Sequence, residues 1–399
     1  MAIADLDFDF TETERAVRDT AHRFAEEVLR PTGIALDVMD PEEVIADGSP
    51  LYDAHKKYVE LGLGDIDPDL SPLEQARLQI IVWEEMGWGD SGLAISFAAG
   101  GFPSFTAAMT GNPDLMKVFP SDQIGCWGIT EPDHGSDTLD FDAKVSAPNS
   151  SRGTSNCIAR ADGNEYVISG QKSAWVSNGT IAKSSALYCA VETNDGKKGF
   201  GVFLVPLDGP NVSRGKPLNK MGQRALNQGE IFFDDVRIPA DYMFAGPNEY
   251  SMVADMTLCR ANSLMGVIFA GTARAAFELA LDYAKERVQG GVPIIQHQSV
   301  KARIFEMYRK VEAARALANR ALCSVLGGGL PSLEVAITSK VTATKTAFEV
   351  ASESMQIFGG NGVSREYPIE KILRDARLSM IEDGCNDILG LVGGERLAR

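Results

Sequence analysis

Histidine is scarce in this 399-residue chain: there are four, and none stands near another. His22, His55, His134 and His297 are too widely spaced to suggest a metal cluster. The six cysteines, at 126, 157, 189, 259, 323 and 385, include no C-x-x-C pair. That spacing argues against a zinc site or a redox dithiol, and six free thiols fit a reducing cytosol. No run of about 18 apolar residues stands out as a membrane span. The first ten residues, MAIADLDFDF, hold three Asp and no base. A secretory signal starts basic and a transit peptide is Arg-rich and poor in acids, so neither is expected, and the cytoplasm is the expected compartment. Positive charge is in the minority: 38 Lys and Arg against 55 Asp and Glu give a net −17. Such a chain is ill suited to non-specific nucleic-acid binding or to an anionic membrane surface, both of which need clustered bases. Walker A, HExxH and GxSxG sequences are also missing.

The acid is unevenly placed. Residues 1–70 contain 18 acids and 6 bases, net −12, whereas the other 329 contain 37 and 32, net −5. Length and a 44% hydrophobic content suggest two or three domains. Thr11-x-x-Glu14 has the form of a capping box, followed by a helical stripe of Val17, Ala21, Phe24 and Val28 that Pro31 is expected to end. Ser71-Pro72-Leu73-Glu74 opens a second helix, expected to run to about Met86. From about 123 to 241 the pattern changes to short β-rich runs: Tyr166–Ile168, Ala186–Val191, Phe200–Val205 and Glu230–Ile238. Two long helical stripes follow, Val300 to Val325 and Ile337 to Phe358, parted by Gly327-Gly328-Gly329-Leu330-Pro331. The order is therefore α, β, α, with expected domains at 1–122, 123–241 and 242–399, an α+β chain.

Gly87-Trp88-Gly89-Asp90-Ser91-Gly92 matches G-x-G-x-x-G by letter. A dinucleotide loop requires a strand before it; here a helix precedes it, so a helix end and turn is the plainer reading. Three other segments concentrate groups suited to a ligand. Trp127-Gly128-Ile129-Thr130-Glu131-Pro132-Asp133-His134-Gly135-Ser136-Asp137 gathers hydroxyls, glycines and acids after a short apolar run. Gly170-Gln171-Lys172-Ser173-Ala174-Trp175-Val176-Ser177-Asn178-Gly179 sets an aromatic ring among hydroxyls, able to stack on a planar ligand. Gln356-Ile357-Phe358-Gly359-Gly360-Asn361-Gly362 ends a helix in glycines, which permit close backbone approach. Singly, each is also a common turn or cap.

Taken in order, they resemble the acyl-CoA dehydrogenase family over nearly the whole chain, through ITEP…GSD, GQK…W-x-SNG, NKMGQRA, ERVQGG…HQ and QIFGGNGVSREYPIEKILRDAR. The resemblance implies an N-terminal helical domain, a central β-barrel-like domain and a C-terminal four-helix bundle. It implies FAD as cofactor, an acyl-CoA substrate, an electron-transfer flavoprotein as acceptor, and a homotetramer or homodimer. Trp127, Ile129 and Thr130 would line the isoalloxazine. Trp175 and Ser177 would lie near its N5 edge. Ser136 would face the pantetheine or the flavin phosphates. Arg287, Gln289, Gln356, Gly359 and Gly360 would hold the pyrophosphate and adenosine across a subunit boundary, an Arg there being a permanent cation with a fork of donors. Cys385 and Asp387, which follow the base position, would also belong to the cofactor site.

The implied reaction is α,β-dehydrogenation: a carboxylate removes the α proton while the β hydrogen leaves as hydride. The α proton is weakly acidic, so the base must be desolvated and the enolate oxygen stabilised. In the family that oxygen is held by a flavin ribityl hydroxyl and the backbone N–H of the base residue. An ungapped count from Arg374-Asp375-Ala376 puts Asp383 at the base position, where the family usually has Glu, and Glu382 where it has an aromatic. Asp is shorter by roughly 1.3–1.5 Å of reach. Some relatives place the base on another helix beside the Arg matching Arg260; here that neighbour is Cys259. Arg260 is a candidate to orient Asp383, and Asp90 a further carboxylate near the expected acyl pocket. In the family, aspartates replace Glu in members acting on alicyclic acyl-CoAs, so the resemblance implies a cyclic or branched acyl group. Nitroalkane-oxidase-like, monooxygenase or desulfinase chemistry on the same fold is the alternative. Asp133-His134 and Gly290 also depart from the pattern, and residues 148–155 have the composition of an inserted loop.

Overall fold

The computed structural model describes residues 10–64, 69–140, 154–328 and 332–399; most of the expected insertion at 148–155 lies outside them. The chain opens with α1 (Glu12–Phe24), a π-helical turn (Ala25–Leu29), α2 (Arg30–Asp37), α3 (Pro41–Val44), α4 (Pro50–Glu60), α5 (Pro72–Gly89), α6 (Ser91–Gly100), α7 (Phe102–Met109) and α8 (Pro113–Val118). Both expected capping boxes form, at Thr11/Glu14 and Ser71/Glu74. Pro31 does not end the first helix. The π turn before it widens the backbone, and Pro31 falls in the first turn of α2, where its missing N–H costs little. α5 likewise runs past Met86 to Gly89. Gly87 is needed for contact, not termination: a Cβ there would lie 1.9 Å from the carbonyl oxygen of Ile268. No strand precedes the G-x-G-x-x-G letters.

The strands are β1 (Gly125–Gly128), β2 (Cys157–Asp162), β3 (Glu165–Lys172), β4 (Ser184–Glu192), β5 (Lys198–Pro206), β6 (Val212–Arg214), β7 (Ile231–Pro239) and β8 (Met243–Ala245). All four β-rich runs fall in strands. They form one mixed sheet of order β6-β7-β3-β2-β4-β5-β8, with β1 paired parallel to β4. This sheet is the central β domain expected between the two helical parts, with β6 and β8 at the two ends of the path. β8 lies past the expected boundary at 241.

The last part contains α9 (Tyr250–Glu286), a small hairpin of β9 (Val288–Gln289) and β10 (Val292–Pro293), α10 (Gln298–Leu326), α11 (Leu333–Phe358), α12 (Ile369–Ser379) and α13 (Asn386–Leu397). α9, α10 and α11 pack side by side, and the short α12 and α13 close the bundle against α11. α9 gives no stripe in the sequence because it is buried on nearly every side, by α5, α10 and α11. It is long and apolar enough to cross a membrane by composition, yet most of it is inside the protein, as in a core helix. One hydrophobic core runs from Phe24 and Trp83 through Phe269 and Val311 to Val350, so the N- and C-terminal helices share it.

Candidate active site

α9 is the axis along which the expected site residues divide. At its start lie Trp127, Cys259, Leu258 and Leu389, packed together with Leu139. Trp127 stacks on Phe102, ring centres 4.9 Å apart, while its Nε1 has no hydrogen-bond partner among the described residues. Ile129 and Thr130 follow on the exit from β1. The Ser173 N–H donates to the Thr130 carbonyl at 2.9 Å, tying the Trp175 segment to the Thr130 segment. Trp175 is 58% exposed, an apolar ring left open beside Thr130. Ser177 Oγ accepts from Gln228 Nε2 at 3.3 Å. Glu131 is spent on structure: it pairs with the buried Lys172 ammonium at 2.7 Å and accepts from the Asn156 N–H.

Ser136 connects this wall to the loop that carries Asp383 by accepting from the Cys385 N–H at 3.0 Å. In that loop Asp383 has φ 50 and Gly384 φ 92. A Cβ at 384 would meet the Leu139 side chain at 2.3 Å, so glycine serves both the left-handed backbone and the contact. Cys385 and Asp387 begin α13, with Asp387 exposed. The Asp383 carboxylate is enclosed by protein yet partly accessible, and it has no hydrogen-bond partner among the described residues. Burial raises its proton affinity, opposed by the Lys340 ammonium. Glu382 is pushed up to about 7, by burial and then by Asp383.

Arg260 is not brought to Asp383. Its guanidinium lies over the Phe105 ring, 4.1 Å from the centroid, on the α7 side of α9. The cation facing Asp383 is Lys340 on α11, whose Nζ donates to the Gly384 carbonyl at 2.8 Å and to Asn386 Oδ1 at 2.9 Å. Burial lowers its pKa to about 8, against the pull of Asp383 and Glu382. The sequence held a signal for it: Lys340 falls on the inward stripe between Ile337 and Thr344. Asp90 is occupied elsewhere. One oxygen caps α6 through the Leu93 N–H at 2.9 Å and the other receives Lys371 Nζ at 2.5 Å. The NKMGQRA segment serves as a dock, with Gly222 against the Arg374 backbone and the Gln223 N–H donating to Asp375.

Arg287, Gln289, Gln356, Gly359 and Gly360 gather at the other end of α9. Tyr283, one turn before Arg287, stacks on Phe358 at 4.0 Å, and Asn361 donates to the Tyr283 hydroxyl at 3.0 Å. Arg287 is exposed with no ion-pair partner among the described residues. A Cβ on Gly359 or Gly360 would meet nothing within 4 Å. Cys259 and Arg287 are 28 residues apart on the helix, roughly 42 Å. The two groups therefore lie toward opposite ends of α9.

Two family models match the chain: the acyl-CoA dehydrogenase middle domain over residues 126–236 and the acyl-CoA dehydrogenase C-terminal domain over 252–398. The chain belongs to the acyl-CoA dehydrogenase family. It is an oxidoreductase family whose cofactor is FAD. The benzylmalonyl-CoA dehydrogenase of Aromatoleum aromaticum is 30% identical over 97% of this chain and 98% of its own length. The short-chain specific acyl-CoA dehydrogenase of Megasphaera elsdenii is 29% identical over 99% and 100%. The cyclohexane-1-carbonyl-CoA dehydrogenase of Geobacter metallireducens is 28% identical over 96% and 97%. Among solved structures, butyryl-CoA dehydrogenase from Megasphaera elsdenii superposes with TM-score 0.84 at 27% identity, over 99% of this chain and 100% of that one. A structure titled electron transferring flavoprotein of Acidaminococcus fermentans has TM-score 0.84 at 26% identity, over 99% and 100%. The residues present fit FAD: the unpaired Trp127 Nε1, the open Trp175 ring, the free Arg287 and the bare Gly359-Gly360 turn are the features a bound dinucleotide would occupy. Among the described residues no group of His, Cys, Asp and Glu is arranged to hold a metal ion.

Proposed function

We propose that the chain catalyses α,β-dehydrogenation of an acyl-CoA thioester bearing a branched or cyclic acyl group, with Asp383 as the base. The observation that carries this reading is the state of Asp383: enclosed, without a hydrogen-bond partner among the described residues, and raised in proton affinity by burial. A base for a weakly acidic α proton requires that combination. Lys340 keeps the loop in place through the Gly384 carbonyl and opposes the rise in proton affinity that burial gives Asp383. FAD bound against Trp127, Thr130, Trp175 and Ser177 supplies the acceptor for the β hydride. Ser136 fixes the base loop to that wall. Arg287, Gln289, Gln356, Gly359 and Gly360 hold the diphosphate and adenosine of a second subunit's FAD in a homodimer or homotetramer, a reading supported by their place at the far end of α9, roughly 42 Å along the helix from Cys259. A branched or cyclic acyl group is supported by Asp383 in place of Glu and by relatives named for cyclohexane-1-carbonyl-CoA and benzylmalonyl-CoA. An electron-transfer flavoprotein is the proposed acceptor, supported by the flavoprotein structure among the similar ones. The cytoplasm is the proposed compartment.

The test is an anaerobic screen of the purified holoprotein against short, long, branched and cyclic acyl-CoAs, followed by flavin absorbance. Bleaching, greatest with a branched or cyclic acyl group, is expected. Bleaching by none of them overturns the reading.

A further inference from the structure

The face of α9 that adjoins the Asp383 loop is polar, where a pocket for a hydrocarbon acyl group would be lined by apolar side chains. Cys259 packs with Leu139 and Leu389, and a Cβ at Gly384 would meet both of those leucines, so this face of α9 lies against the loop. The positions three and four further along share the face. They are Asn262 and Ser263, both fully buried. Asn262 Nδ2 donates to the Asp383 carbonyl at 3.5 Å. That contact takes the amide's donor side, so Oδ1 is turned away from it, and Oδ1 has no hydrogen-bond partner among the described residues. Ser263 Oγ has none either. One turn on, Gly266 lies against Ser339 of α11, whose Oγ is also buried and unpartnered. Buried polar groups in this state cost stability that apolar groups of the same shape would not.

Glu382 borders the same loop from its own turn. Its Oε1 accepts from Gln223 Nε2 at 2.6 Å, while its Oε2 has no hydrogen-bond partner among the described residues. The open groups are thus mainly acceptors: Asn262 Oδ1 and Glu382 Oε2 need a donor, and Ser263 can donate as well as accept. Charge is already balanced around them, since the carboxyls of Glu382 and Asp383 are faced by the ammonium groups of Lys220 and Lys340. A further carboxylate would meet acceptors that need donors, and a further ammonium would upset the balance. A neutral hydroxyl satisfies both conditions.

We propose that the acyl group carries a hydroxyl beyond its reacting α and β carbons, and that Asn262, Ser263 and Glu382 select it: Asn262 and Glu382 accept from the substituent, and Ser263 donates to it. A plain ring or chain would leave these groups without partners, which is how a site built for a hydroxyl rejects an analogue that lacks one. The inference deepens the proposed reaction and rests on Asp383 standing at the acyl α carbon.

The experiment uses the FAD-loaded protein and matched thioesters: cyclohexane-1-carbonyl-CoA, its 3-hydroxy and 4-hydroxy derivatives as separate diastereomers, and the 4-carboxy and 4-amino derivatives. Two quantities are measured: the rate of anaerobic flavin reduction at limiting thioester, and affinity by calorimetry, which needs no turnover. At least one hydroxy derivative is expected to exceed the plain ring about a hundredfold or more in rate and about tenfold or more in affinity. Asn262→Leu combined with Ser263→Ala is expected to cut both ratios about tenfold, with retained flavin absorbance reporting a folded variant. Equal rates and affinities for the plain and hydroxy rings in the wild type, or preference for the carboxy or amino derivative, overturn the inference without recourse to the variant. Ratios that survive both substitutions in a folded variant also overturn it. Flavin left unreduced by every thioester, with a hydroxy derivative still bound the more tightly, would refute dehydrogenation and support the hydroxyl subsite, so the two failures are distinct.

Discussion

Two clusters of enclosed charge lie beside α9: Arg274 is on it, and the Asp383 loop touches it at Asn262, about 18 Å of helix away. The first surrounds Arg274. Its two terminal nitrogens meet Glu84 and Glu85, each at 2.5 Å; Arg315 meets Glu84 at 2.9 Å, and His22 meets Glu85 at 2.8 Å. Against the opposing effect of burial, Arg274 and His22 hold the Glu85 carboxyl down to about 2. The second surrounds Asp383. There Lys340 bonds to a carbonyl and an amide oxygen, burial pushes the Glu382 carboxyl up to about 7, and Asp383 has no hydrogen-bond partner among the described residues. Burial alone does not distinguish the clusters. Pairing does: ions paired with one another hold helices together, whereas ions left short of partners keep proton affinities that chemistry can use.

Breaking the paired cluster is expected to give the largest effect. Arg274→Met leaves Glu84 and Glu85 enclosed without their main cation and should cost about 3–5 kcal/mol of stability by denaturant titration. Flavin reduction below the new melting temperature should be close to wild type. A large loss of rate in the still-folded variant would mean that the clusters are coupled, and the contrast would fail. Altering the unpaired cluster should do the reverse. Lys340→Met removes the cation that opposes the rise in Asp383's proton affinity. The pH midpoint of flavin reduction should move upward by about one unit. A midpoint that stays fixed would show that Lys340 serves only the loop backbone.

Much of this arrangement was legible in the sequence. Capping boxes at Thr11 and Ser71, the four β-rich runs and the stripes of α10 and α11 depend on local patterning, and local patterning survives folding. The misses have physical causes. α9 shows no stripe because neighbours surround it. Pro31 was read as a helix end, but the π turn before it absorbs the disruption. Asp90 and Arg260 could be placed near the pocket by position, but one residue of helical rotation is 100°, and direction decides the partner. Asp90 turned to Lys371 and Arg260 to Phe105. Lys340 could have been found, as a lysine within an apolar stripe. The placing of Trp127 and Arg287 toward opposite ends of α9 depends on a helix length that the sequence pattern concealed.

The central claim is that Asp383 removes the α proton. Its most direct test uses an acyl-CoA that reduces the flavin, deuterated at the α carbon, and compares its anaerobic flavin reduction in the wild type and in Asp383→Asn. A primary isotope effect is expected in the wild type, and a loss of rate of about a hundredfold to ten-thousandfold in Asp383→Asn, with FAD still bound. An Asp383→Asn protein that reduces its flavin at the wild-type rate with the same isotope effect would contradict it.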